Sequence, residues 1–109
     1  MNKMNTFGIV FYLKRQKEKN GKAPIYARIT VDGKRAEISI KKDIDTSNWS
    51  YGKGMAKGKG DEIRMLNTYL EQIRSRMVEG YQQLQLKKQL ITAELIKTNF
   101  WVLKKKNIP

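Results

Sequence analysis

The 109-residue sequence contains no cysteine and no histidine. Without cysteine, neither a disulfide framework nor a thiolate metal site is possible. Without histidine, the commonest metal ligand and the commonest general base are both missing. No apolar run reaches the roughly 20 residues that cross a bilayer, and no small-residue cleavage site follows the short apolar stretch near the N-terminus. We therefore expect a cytoplasmic protein of one domain, or of one domain with an appendage, without a cofactor, a metal site or membrane contact.

Acidic residues are also scarce, because 23 Lys and Arg residues face only 10 Asp and Glu, which leaves a net charge of +13. Residues 1–60 hold 14 basic and 5 acidic residues, a net +9, while residues 61–109 hold 9 and 5, a net +4. A positive field attracts polyanions, and nucleic acid is the usual one. A merely solubilising lysine-rich surface would give the same composition, so charge alone does not decide.

Alternation of apolar and polar residues predicts three strands. Residues 6–15 form the first strand, because Phe7, Ile9, Phe11 and Leu13 share one parity. A polar loop at 16–22 follows. Residues 24–40 then give two strands around a two-residue turn at 32–33, whose Asp-Gly sequence favours a type I′ hairpin.

This turn predicts the register of the hairpin. Residues whose numbers sum to 65 are paired, so that Arg28 faces Glu37, and Ile29 faces Ala36. Three pairs on one face are apolar and three on the other are polar, including Ile25 opposite Ile40 and Tyr26 opposite Ser39 on the respective faces. A slip of one residue would mix the two characters throughout. Turn chemistry and hydrophobic pattern thus indicate the same hairpin.

The C-terminal half predicts helices. Apolar residues at spacings of three and four indicate one helix over 61–89, and Thr92 is a good N-cap for a short helix from 93 to about 101. We expect an α+β fold, in which a three-stranded antiparallel sheet packs on one long C-terminal helix followed by a short helix. The packing contacts should join Leu66, Leu70 and Ile73 to Ala27, Ile29 and Ile38, and small Ala27 and Ala36 should let the long helix come close.

The long helix exceeds the length of the strands. At 1.5 Å per residue it spans about 43 Å, whereas a seven-residue strand spans only about 23 Å. Its part beyond Gly80 should therefore overhang, meet a partner, or meet the last segment.

The connection at 43–60 carries turn residues, a tryptophan and a run rich in Gly and Lys. We expect Trp49 to fold over an edge of the core. The run at 52–60 reads as a flexible, solvated linker or as a basic loop that lies along phosphates.

The sheet face opposite the helix is polar. It carries tyrosine, arginine, lysine and hydroxyl side chains, which suit hydrogen bonds to phosphates and base edges. A β-ribbon fits the major groove of B-DNA. The alternative is a solvated face on which Arg28 and Glu37 are only a cross-strand pair.

A family resemblance rests on the order of these segments. A strand and polar loop precede "GKAPIYARITVDGKRAEISI", and "DIDTSNW", a long helix and "ITAELIK" follow. This pattern, from about Thr6 to Ile96, resembles the N-terminal arm-type DNA-binding domain of tyrosine recombinases, as in phage and conjugative-transposon integrases. The resemblance implies that the open sheet face enters the major groove at arm-type sites. The implied contact residues are Tyr12, Lys14, Tyr26, Arg28, Thr30, Arg35, Glu37 and Ser39, with Lys17, Lys19, Lys22 and Lys41 on phosphates.

The sequence lacks the recombinase catalytic signature. Tyrosine recombinases use Arg, His-x-x-Arg and a nucleophilic Tyr in a later domain, and there is no histidine here. We therefore expect no enzymatic activity and no catalytic role for the five tyrosines. The arm domain would span 1–90, and residues 91–109 would form the short helix and the start of a linker into a core-binding domain. Partners would be double-stranded DNA and, through the helix and residues 100–103, other recombinase domains or protomers.

Two further readings remain open at this point. One is a free-standing DNA-binding regulator. The other is a protein-interaction module that uses the long helix.

Overall fold

The computed structural model describes residues 6–106, with side chains described as far as Phe100. The expected partner contacts of residues 101–103 therefore fall outside the described side chains. Short 3₁₀ turns at Arg15–Lys17 and Thr46–Asn48 follow the first and third strands. The main elements are β1 (Phe7–Leu13), β2 (Lys22–Val31), β3 (Lys34–Asp45), β4 (Trp49–Ser50), β5 (Met55–Ala56), α1 (Asp61–Leu86) and α2 (Ala93–Lys106).

The fold is α+β, as the sequence predicts, and its main sheet has the antiparallel order β1-β2-β3. Asp32 and Gly33 both adopt positive φ, 51° and 82°, as a type I′ turn requires. Arg28 pairs with Glu37, and Ile29 pairs with Ala36, so the predicted hairpin register is confirmed from Tyr26 to the turn. In the other ladder β1 pairs with β2, for example Tyr12 with Tyr26.

The hairpin ladder is interrupted below Tyr26. The next pair after Tyr26–Ser39 is Pro24–Asp43, so two extra residues of β3 are accommodated in between, and Lys41 takes a φ of 63°. The predicted pair of Ile25 and Ile40 falls in this bulge, although both side chains are buried. Bulges bend and twist a strand. Beyond the bulge, β3 continues to Asp45. It therefore extends into the segment that was predicted to be a connection from residue 43 onwards.

Both helices cover the apolar face of the sheet. Leu70, Ile73 and Met77 of α1 are buried, and α2 adds Ala93, Ile96 and Phe100 to the same core. Several Cα atoms of α2 lie within 8 Å of β2 and β3. Of the two helices, α2 therefore makes the closer approach to β2 and β3, which the sequence had assigned to α1.

Helix α1 reaches the β1 side of the sheet through large side chains. The ring of Tyr81 stacks on that of Phe7 with centroids 4.2 Å apart, and the guanidinium of Arg74 donates to the carbonyl of Ile9 at 2.9 Å. Leu66 is only partly buried. Beyond Gly80, Leu84 is buried and α1 contacts α2. Of the three expected fates of this part of the helix, the structure shows that it meets the last segment.

The turn between the helices is capped. The hydroxyl of Thr92 accepts a hydrogen bond from the amide of Leu95 at 3.0 Å, which confirms the predicted N-cap. Ile91 and Ile96 are both buried, as expected of a hydrophobic staple. Helix α1 ends at Leu86 and not at 89, because Lys88 adopts a φ of 55° and leaves the helical conformation. The division of the chain into an arm domain ending at 90 and a linker stays a prediction.

The connection after β3 contains a short two-stranded ribbon that is attached to α1, whereas its Gly and Lys content suggested a loose linker. Trp49 is 1% exposed, as predicted, and β4 pairs with β5. The side-chain amide of Asn67 accepts from the amide of Ala56 at 2.9 Å and donates to its carbonyl at 3.0 Å. The β4–β5 ribbon is therefore fastened to α1. Among the described residues, no helix is long and apolar enough to cross a membrane.

Candidate nucleic-acid interface

The two ladders place the polar residues of the sheet in three rows on the face away from the helices, hereafter the open face. Each row takes one residue from each strand, because the pairings of β1 with β2 and of β2 with β3 run through the same β2 residue. The rows are Gly8–Thr30–Arg35, Val10–Arg28–Glu37 and Tyr12–Tyr26–Ser39. Lys14 lies past the last row in the chain direction of β1, where its amide donates to the carbonyl of Pro24 at 3.0 Å.

Glu37 is the centre of this face. Its Oε2 accepts a hydrogen bond from the hydroxyl of Tyr12, and its Oε1 accepts from Nζ of Lys14 at 2.9 Å. Nη2 of Arg28 lies 3.6 Å from Oε2. Glu37 of β3 thus binds Tyr12 of β1, and Lys14 just after β1, across the intervening strand β2. We call Glu37, Tyr12, Lys14 and Arg28 the Glu37 cluster.

The two cations of the cluster lie over aromatic rings. The guanidinium of Arg28 lies 4.6 Å from the ring centroid of Tyr12, and Nζ of Lys14 lies 4.4 Å from that of Tyr26. The two rings are tilted, with centroids 6.2 Å apart. A cation over a ring face is attracted by the ring quadrupole. The rings therefore fix the position of the charges without neutralising them.

Titration of the face follows from these contacts. The hydrogen bond from Tyr12, and then that from Lys14, lowers the pKa of Glu37 to about 2. Burial, together with the carboxylate of Glu37, raises the pKa of Tyr12 to about 12. A hydrogen bond from Lys17 lowers the pKa of Tyr26. At neutral pH the cluster therefore holds one carboxylate and two cations, with a protonated phenol between them.

The hairpin end of the face has a different character. Arg35 is exposed beside the turn, and within the described part of the chain it has no acidic partner within 4 Å. Val10 is 53% exposed in the middle of the face. Thr30 is half-buried between Gly8 and Arg35. An unpaired guanidinium, a methyl-bearing hydroxyl and an apolar side chain are the groups that contact base edges and thymine methyls.

The loop lysines lie at the other end of the sheet. Lys19 and Lys22 bridge the turn at Asn20-Gly21, and the ammonium group of Lys17 donates to the hydroxyl of Tyr26 at 3.0 Å. All three lysines line one open groove together with Asp43. Lys41 lies in the bulge of β3, where its amide donates to the hydroxyl of Ser39 at 3.2 Å. The twelve residues expected to contact DNA thus lie on the open face, in the β1–β2 loop, at the start of β2 and in the β3 bulge.

The sequence did not reveal the whole cluster. It predicted the pair of Arg28 and Glu37, since the Asp-Gly turn sets that register. It did not predict that Tyr12 and Lys14 bind the same carboxylate. The signal was present in the shared parity of the apolar residues of β1 and β2, but the longer loop between these strands does not fix which residues are opposite.

The free edge of β1 is covered, which separates the open face from the packing side. Arg74 occupies the carbonyl of Ile9. A Cβ added at Gly54 would lie 3.0 Å from the carbonyl oxygen of Phe11, so the ribbon turn abuts the same edge. An occupied edge does not pair with another strand. In this part of the molecule, the exposed polar groups available to a ligand are therefore side chains of the open face.

Comparison with known proteins gives a family assignment for the chain. Searches of curated proteins and of solved structures give no match. The family model described as "Arm DNA-binding domain" matches residues 11–97, which include β2, β3, the ribbon and α1 completely. The match covers most of the chain, and the chain therefore belongs to the arm DNA-binding domain family.

Proposed function

We propose that the open face binds double-stranded DNA in the major groove, as the arm-site accessory domain of a tyrosine recombinase of the integrase type. The chain would contribute recognition and no catalysis, and the strand-exchange chemistry would belong to other domains. It would act on the nucleoid in the cytoplasm. Family membership supports DNA binding, and the shape and chemistry of the open face support this mode.

The proposal rests on the two arginines of the open face. Arg35 has no acidic partner among the described residues, and Arg28 is paired with Glu37. Arg35 is exposed beside the hairpin turn, and Arg28 lies one row away over the ring of Tyr12. Arginine bound to O6 and N7 of guanine is the commonest specific contact in the major groove. Two guanidinium groups on adjacent strands would place such contacts in neighbouring positions of one site.

The lysines would have a different task. Lys17 and Lys19 lie in the β1–β2 loop and Lys22 begins β2, at the end of the sheet away from the rows that carry the arginines. Phosphate contacts orient a protein on the duplex and carry no sequence information. We infer that the loop sets the position of the sheet in the groove while the open face reads the bases.

The test begins with a duplex selected from a randomised library by the wild-type chain. Fluorescence titrations then compare this duplex with a scrambled one at several salt concentrations. Replacement of Arg28 by Ala should weaken specific binding by about 1–3 kcal/mol and leave non-specific binding almost intact, because a base contact is lost. Replacement of Lys19 by Ala should weaken both about equally and reduce the salt slope by about one.

The matched control is Arg76→Ala, which removes the same charge from an exposed position on α1. It should change neither duplex by more than a general charge effect. If Arg28→Ala and Arg35→Ala leave specific binding unchanged, the open face is a solvated surface. DNA binding would then have to come from the ribbon lysines or from the basic end of α2.

A further inference from the structure

Glu37 is the one acidic residue among the eight open-face residues expected to contact DNA, and it lies in the central row. A carboxylate at the centre of a DNA-binding surface repels phosphate. Its position therefore requires an explanation that a purely attractive surface does not give.

The contacts of Glu37 show what it does in the free protein. It binds the ammonium of Lys14 at 2.9 Å and lies 3.6 Å from the guanidinium of Arg28. It also accepts a hydrogen bond from the hydroxyl of Tyr12. Three side chains that could donate hydrogen bonds to DNA are therefore directed at one carboxylate. Any phosphate that approaches Lys14 or Arg28 must displace these bonds and come close to a negative charge.

We propose that Glu37 is a specificity residue that suppresses binding to non-cognate DNA by holding Lys14, Arg28 and Tyr12 in an intramolecular cluster. Discrimination is a difference between two affinities, and a penalty against the wrong partner increases it as effectively as a contact to the right one. Non-specific binding comes from phosphate neutralisation by Lys and Arg. With Glu37 in place, the carboxylate offsets one of the two positive charges of the cluster and holds both cations, so the pair contributes less to that term.

Cognate DNA offers new hydrogen bonds that compensate for the bonds to Glu37 that are broken when the cluster opens. Base edges offer acceptors to Arg28 and to the hydroxyl of Tyr12. A random duplex offers phosphates without this compensation. The inference rests on the proposed function, since it assumes that the open face is the DNA-binding surface.

The experiment replaces Glu37 by Gln, which keeps the size of the side chain and an acceptor for Tyr12 but removes the charge. Affinity for a scrambled duplex at about 0.1 M salt should rise roughly five- to tenfold, and the salt slope should steepen by about one, because the cluster gains one net positive charge. Affinity for the selected duplex should rise less, so that the ratio of specific to non-specific binding falls.

Two variants accompany it. Glu79→Gln removes the same charge from an exposed position on α1 and should leave the salt slope unchanged. Tyr12→Phe removes one bond to Glu37 but keeps its charge, so binding to the scrambled duplex should not rise. Thermal melting of each variant shows that the fold is intact, and Tyr12→Phe together with Lys14→Ala tests the cluster even if Glu37→Gln is destabilised. In the wild type, Lys14→Ala should weaken scrambled-duplex binding less than Lys19→Ala does, because Glu37 offsets the charge of Lys14 in the free chain.

The outcomes separate this inference from the proposed function. If Arg35→Ala weakens specific binding but Glu37→Gln leaves the scrambled duplex unchanged, the inference fails and the proposed function stands. If Glu37→Gln weakens specific binding alone, Glu37 reads a base directly and the inference also fails. If neither Arg35→Ala nor Arg28→Ala affects the selected duplex, the proposed function itself is wrong.

Discussion

The two faces of the same three strands differ in how they are held. On the buried face, Ile25, Ala27 and Ile29 are fully buried between the other strands and the helices. On the open face, one residue along in each case, a ring contact holds Tyr26, an ion pair holds Arg28, and Thr30 is half-buried. Shape fixes the first set and charge fixes the second.

This difference separates stability from recognition. Close packing makes the buried face sensitive to the loss of a single methylene group. Charge pairs at a partly exposed surface contribute little to folding, because solvent screens them. We therefore expect that buried-face variants unfold the protein, whereas open-face variants alter what it binds.

The largest effect should come from the packing side. Leu70→Ala leaves a cavity under the sheet and should reduce the free energy of unfolding by roughly 2–5 kcal/mol. Met65→Ala is the matched control on the same helix, because Met65 is 71% exposed, and it should change stability by less than about 0.5 kcal/mol. Urea titration followed by circular dichroism measures both. A cost below about 1 kcal/mol for Leu70→Ala would show that α1 does not lie on this core.

A smaller loss should follow from cutting the link between α1 and the ribbon. Asn67→Ala leaves the backbone amide and carbonyl of Ala56 without their side-chain partner. Because this site is only partly buried, water replaces part of the two bonds, and the total cost should be about 1–2 kcal/mol. Amide hydrogen exchange should accelerate at Ala56 and Lys57 first. Thr68→Ala, at the next and exposed position, is the control. Unchanged exchange at Ala56 would mean that the ribbon is held by Trp49 alone.

The smallest effect belongs to the open face and depends on pH. The pKa of Glu37 is lowered in the folded chain from 4.5 to about 2, so its contribution to stability is complete above pH 4.5 and is lost as the pH falls towards 2. Between these values the melting temperature of the wild type should fall more than that of Glu37→Gln. Equal slopes for the two proteins over this window would contradict a charged Glu37 cluster in the free chain.

Much of the fold could be predicted because local signals agreed. The Asp32-Gly33 turn and the alternation of Ile29 with Arg28 specify the same register, and Thr92 marks the start of α2 at its observed position. Where a signal was compositional, prediction failed. The Gly and Lys residues after Tyr51 indicated a loose linker, but Asn67 fastens this segment from a distance that no local pattern reveals.

The site was predictable as a face but not as a set of contacts. Alternation alone places Tyr12, Arg28 and Glu37 on one side of the sheet. Which donors Glu37 binds depends on the register between β1 and β2, and the eight residues from Lys14 to Gly21 that separate these strands carry no two-residue turn that would fix it. Helix α2 was likewise predicted as an element and missed as the helix closest to β2 and β3.

The central claim is that the open face, and no other surface, contacts the bases. The most direct measurement is an isotope-filtered NOE experiment on the ¹³C-labelled chain bound to the unlabelled selected duplex. The account predicts contacts to DNA protons from the methyl groups of Val10 and Thr30 and from the ring of Tyr12, and none from the buried methyl groups of Ile29. Contacts confined to the ribbon at 49–56 or to α1, with silent open-face methyl groups, would contradict it.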